Sequence, residues 1–116
     1  MKNIITIILI ALVTLFTTNV KAQKSNETAE IKVKTSAQCE MCKQRLEKAM
    51  AYEKGIKSST LDVETATLTV VFKPNKTTPE KIREAISKTG YDADKVTADK
   101  KAYNNLPDCC KKGGEH

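Results

Sequence analysis

Cys39 and Cys42 stand three apart in Cys39-Glu40-Met41-Cys42, behind a run of alternating apolar and charged residues and ahead of one with helical periodicity. Two thiols at that spacing at the start of a helix converge on one point. The helix dipole and the free N–H groups of the first turn favour thiolate, the form that ligates metals. Such a pair suits soft ions, Cu(I), Hg(II), Zn(II) and Cd(II) alike. The same spacing serves a dithiol–disulfide couple, so a thiol–disulfide oxidoreductase is the rival reading. The Trp-Cys-Gly-Pro-Cys context of that chemistry is absent. Lys43 stands where a haem-attachment motif requires His.

Cys109 and Cys110 form a second, adjacent pair. A bridge between neighbours is strained. These thiols are candidates to complete a site with Cys39 and Cys42, to bind a second ion, or to exchange with other thiols. An extended linker from Thr97 spans up to ~40 Å, enough to return to the first pair. Met41, between the first two cysteines, offers a thioether, although this position more commonly packs or faces solvent. Asp62, Glu64, Asp92 and Asp94 lie near turns without forming an acid/base pair. With no phosphate-binding glycine loop and no Ser/His/Asp arrangement, the chain reads as a binding protein rather than an enzyme.

The elements that position these residues follow from periodicity. Ile31 and Val33 alternate with Lys32 and Lys34 in a first strand over 29–35. A helix over 41–53 carries Cys42, Leu46, Ala49 and Met50 on one face and ends before Gly55. Strands over 56–63 and 67–73 have a short connection and should form an antiparallel hairpin. Thr78 is a good N-cap, Pro79 fits the first helical position, and Gly90 ends a second helix striped by Ile82, Ala85 and Ile86. A weak fourth strand is expected over 91–97. The order β-α-β-β-α-β predicts an α+β, ferredoxin-like sandwich with two helices on one face of a four-stranded antiparallel sheet.

The chain has 116 residues, enough for one small domain. Residues 1–22 read as an export signal: Lys2 is the positive end, 4–16 is apolar, and Val20-Lys21-Ala22 offers a cleavage site. The expected location is therefore the periplasm, after cleavage near Ala22. A leader over 23–28, the domain over 29–97 and a cysteine-bearing tail over 98–116 complete the organisation. The net charge of +6 comes from Lys scattered among Glu and Asp, and Trp is absent. That is a solvated surface, not a nucleic-acid footprint.

Several separated motifs over about 31–96 resemble the heavy-metal-associated (HMA) domain family. They are the Cys-x-x-Cys between strand and helix, Leu46-Glu47-Lys48-Ala49, Gly55-Ile56, Pro79-Glu80 with Ile82, Ala85 and Ile86, and Gly90-Tyr91-Asp92-Ala93. The resemblance implies that Cys39 and Cys42 hold one Cu(I) nearly linearly, open to a partner's thiols. It implies that Tyr91 flanks the metal. It also implies a monomer whose partner is a membrane metal transporter or another thiol-bearing metalloprotein. Ser36-Ala37-Gln38-Cys39 departs from the family's usual Gly-Met-Thr-Cys, and Ala37 leaves the Met volume to Met41 or Met50.

Overall fold

Alternating apolar and charged side chains over Ala29–Lys34 make the edge strand β1, with Val33 buried and Lys32 and Lys34 in solvent. A computed structural model of the chain describes residues 27–112. The expected export segment lies outside them. Strands β2 (Ile56–Asp62) and β3 (Thr67–Phe72) form the expected antiparallel hairpin. β3 is central, since β1 pairs antiparallel with its other edge and Val33 stands opposite Leu68.

Helix α1 (Glu40–Ala51) buries Cys42, Leu46 and Met50, a stripe at four-residue spacing. Helix α2 (Pro79–Thr89) buries Ile82 and Ile86. Its boundaries follow from local chemistry. Thr78 caps it by accepting from the Lys81 N–H, Pro79 opens it, and Gly90 closes it at a left-handed φ of 110°. Both stripes meet Val33, Leu61, Leu68, Val70 and Phe72 of the sheet in one core. Of the two methionines named for the space beneath the cysteine loop, Met50 lies in the core and Met41 is exposed.

The expected fourth strand over 91–97 is instead a tight loop. Ala93 makes only isolated bridges, to Thr35 and to Val96. Ala93 and Val96 exchange two hydrogen bonds of 2.9 Å, and Asp94 takes a left-handed φ of 52°. A ladder needs consecutive extended residues, and this turn breaks it. Asp94 replaces strand pairing with its own groups: its N–H donates to the Lys34 carbonyl (2.8 Å) and its Oδ1 accepts from the Lys34 N–H (2.9 Å). The sheet therefore has three strands among the described residues.

Past residue 97 the chain does not leave the domain. Asp99 caps a short helix, α3 (Lys100–Asn104), by accepting from the Ala102 N–H, and a single 3-10 turn follows at Asp108–Cys110. Leu106 and Cys110 are buried and join the core. Ser87 and Gly90 receive this segment on the end of α2. The Ser87 carbonyl accepts from the Asp99 N–H, and its hydroxyl donates to the Thr97 carbonyl (2.8 Å). A Cβ on Gly90 would lie 3.1 Å from the Ala102 carbonyl carbon and oxygen and from Leu106 Cγ, so the tail's close approach requires glycine.

A candidate thiol metal site

Cys39 is the N-cap of α1, in extended conformation, and its carbonyl accepts from the Lys43 N–H. Cys42 follows in the first turn and is fully buried, because it heads the same stripe as Leu46 and Met50. The two Sγ atoms are 3.1 Å apart. Cys39 is half-buried, while Cys42 is anchored in the core.

The 3-10 turn adds a third thiol. Cys110 Sγ lies 3.8 Å from Cys39 Sγ, and the sulfurs of Cys39, Cys42 and Cys110 are all within 4.8 Å of one another. Cys109, its neighbour, points elsewhere. It is half-buried, with Sγ 3.8 Å from Met41 Sδ and 3.9 Å from Cys110 Sγ. All four cysteines are free thiols. Burial pushes the Cys110 thiol far above its ordinary range, and the adjacent Cys42 thiol adds to the effect.

Tyr91, from the loop after α2, is fully buried beside this cluster. No group meets its Oη at hydrogen-bonding geometry. Its polar neighbours are the thiols of Cys110 and Cys42. Burial foremost, with those thiols, holds the phenol far above its usual pKa, so it stays a protonated donor. The next residue ties the surrounding loops together. The Asp92 N–H donates to Ser36 Oγ (2.9 Å), its Oδ1 accepts from the Ala98 N–H (2.8 Å), and its carboxylate pairs with Lys112. The Lys112 contact is the chief reason its carboxyl sits below the ordinary range.

The structure thus brings Cys39, Cys42, Cys110 and Tyr91 together and leaves Met41 and Cys109 at the rim. Lys43 is committed to Glu47 (3.0 Å) and to the Leu61 carbonyl (3.0 Å). Leu106 and Gly90, which dock the tail, were not singled out by sequence as site determinants. The one available signal was the apolar Leu106-Pro107 step within a lysine-rich tail.

Fold and thiol placement together define an α+β metal-site domain with its cysteines at a strand-to-helix junction. Residues 34–92 match the family described as the heavy-metal-associated domain, and the chain belongs to that family. A copper-exporting P-type ATPase of Staphylococcus saprophyticus is 32% identical over 83 residues, which are 70% of this chain and 10% of the ATPase. The chain therefore corresponds to a small part of that relative. Among solved structures, the CopZ metallochaperone superposes with a TM-score of 0.54 at 23% identity, over 56% of this chain and 98% of its own. Oxidized MerP from Ralstonia metallidurans CH34 gives 0.55 at 24% identity, over 58% of this chain and 94% of its own. Cys109 and Cys110 lie beyond the residues that match the family.

Proposed function

We propose that this chain carries one soft metal ion, Cu(I) before Hg(II), Zn(II) or Cd(II), on Cys39 and Cys42 and passes it to another protein's thiols. The observation that carries this reading is the pair of sulfurs 3.1 Å apart at the head of α1, one on a half-buried residue and one on a fully buried residue. Buried Cys42 holds the ion in place. Half-exposed Cys39 is the ligand an incoming thiolate displaces, so the ion moves by ligand exchange without being freed. The named copper-exporting relative supports copper as cargo and a membrane metal transporter as partner; a soluble thiol-bearing metalloprotein would serve equally. The export segment read from residues 1–22 supports the periplasm as the site of this exchange, with the carrier read as a monomer.

The same 3.1 Å separation favours one rival, a Cys39–Cys42 dithiol–disulfide oxidoreductase. Cu(I) titration against a competing chelator, with the reduction potential measured on the same sample, separates the two. The expected result is one tightly held Cu(I) per reduced chain, lost on combining Cys39→Ser with Cys42→Ser. Tight binding that survives the double substitution overturns the assignment. A strongly oxidising couple with weak Cu(I) binding establishes the oxidoreductase instead.

A further inference from the structure

We propose that Cys110 is a third ligand to the cargo ion, so that the tail is a thiolate strap closing a site that Cys39 and Cys42 leave open. The proposal rests on the Cys39/Cys42 reading above and adds a ligand from outside the family-matching residues.

Geometry is the first argument. With metal–sulfur bonds of about 2.3 Å, three sulfurs around one ion lie about 4 Å apart, whereas two in linear coordination lie about 4.6 Å apart on opposite sides. The Cys39–Cys42 and Cys39–Cys110 separations are 3.1 and 3.8 Å, and no pair exceeds 4.8 Å. Cys39 and Cys42 are closer than a linear pair requires, and Cys110 stands at the third corner of a triangle. For one shared ion these separations, 3.1 Å to at most 4.8 Å, would converge on about 4 Å.

The second argument is that the fold holds Cys110 there from both sides. Before it, Asp99 caps α3, Leu106 is buried in the core, and Gly90 gives up its side chain to let Ala102 and Leu106 approach. After it, the Lys112 N–H donates to Tyr103 Oη (2.9 Å) and the Lys112 ammonium pairs with Asp92. These anchors fix the position of Cys110 beside Cys39 and Cys42. The third argument is Tyr91 Oη, a buried donor with no partner, set beside Cys42 and Cys110. A metal-bound sulfur carries negative charge and is a strong acceptor, which supplies the partner that the metal-free site lacks.

The strap gives the site two states. Docked, three sulfurs hold the ion and shield it. For transfer, a partner thiolate forms its metal–sulfur bond as the Cys110–metal bond breaks, and Cys110 takes up the proton that the partner thiol gave to solvent. The ion keeps its oxidation state, and Cys39 and Cys42 are exchanged next. Cys109, at the rim beside Met41, is not a ligand in the docked state.

The test is X-ray absorption on the reduced, Cu(I)-loaded full chain, with chelator competition for affinity, comparing wild type with Cys110→Ser, Cys109→Ser and the Cys39→Ser/Cys42→Ser pair. Wild type and Cys109→Ser should show three sulfurs. Cys110→Ser should show two, transfer Cu(I) faster to a thiol acceptor, and lose at least about tenfold in affinity, since even an outer-shell partner is worth that much. Cys110→Ala repeats the test without an oxygen that could substitute. Unchanged coordination, affinity and transfer in Cys110→Ser and Cys110→Ala overturn the strap while leaving the two-cysteine carrier standing. Loss of a sulfur in Cys109→Ser overturns it too, by assigning the third ligand to the wrong cysteine. Binding that survives loss of Cys39 and Cys42 overturns the carrier itself and the strap with it.

Discussion

Among the described residues, the hydroxyl of Tyr91 is the one buried side-chain oxygen or nitrogen without a partner. A buried, unsatisfied donor costs about 1–3 kcal/mol, so the metal-free protein bears a penalty at the site. Metal binding removes it if the phenol then donates to a thiolate of Cys42 or Cys110. Tyr91→Phe should therefore act with opposite signs in the two states. It should leave the metal-free protein as stable as wild type or more so, and it should weaken Cu(I) binding. Urea unfolding with and without Cu(I) reads both. Equal destabilisation of both states would make Tyr91 an ordinary core aromatic. The contrast between Cys39 and Cys42 is of the same kind: one thiol type in two burials, set by the helix phase that puts Cys42 over Leu46 and leaves Cys39 on the cap.

At the scale of elements, Gly90 does two jobs: it closes α2 at positive φ and makes room for α3 and Leu106. Gly90→Ala meets both constraints at once. The left-handed conformation alone costs about 1–3 kcal/mol. The substitution should lower the urea midpoint and, by pushing Ala102 and Leu106 away, speed alkylation of Cys110 more than that of Cys42. Uniform change in all thiols would show that the tail is not seated through this contact. The same residue shows why some of the fold could be read and some could not. α2 was legible to its last residue because Thr78, Pro79 and Gly90 act on their immediate neighbours. β1, α1 and the β2–β3 hairpin were legible within a residue or two from periodicity. The fourth strand expected over 91–97 is not formed because Asp94 satisfies the Lys34 backbone with its side chain, an interaction no periodicity encodes. The pair Cys39/Cys42 was legible because its geometry is local. The sequence does not distinguish Cys110 from Cys109, because choosing between them depends on how a distant tail packs against the end of α2.

For the whole molecule, the question is whether the metal builds the fold or visits it. Val33, Leu46, Met50, Leu68, Val70, Phe72, Ile82 and Ile86 are buried in one cluster, and none is a metal ligand. Cys42 and Cys110 join that cluster, where buried cysteine packs as a small apolar group. The domain therefore has its core before any ion arrives. Small zinc domains differ, because their binding energy is their folding energy and chelation unfolds them. Metal should stabilise this protein only by mass action, by about 2.7 kcal/mol when free ion is a hundredfold above Kd. Chelation should accordingly leave the far-ultraviolet circular dichroism unchanged and the urea transition cooperative, with a lower midpoint and an unaltered slope. The proposed carrier role would require that independence, since such a domain must stay folded each time it gives up an ion. Loss of folded-state dichroism on chelation would show that the metal is a structural part of the molecule, and a cargo role could not then be maintained.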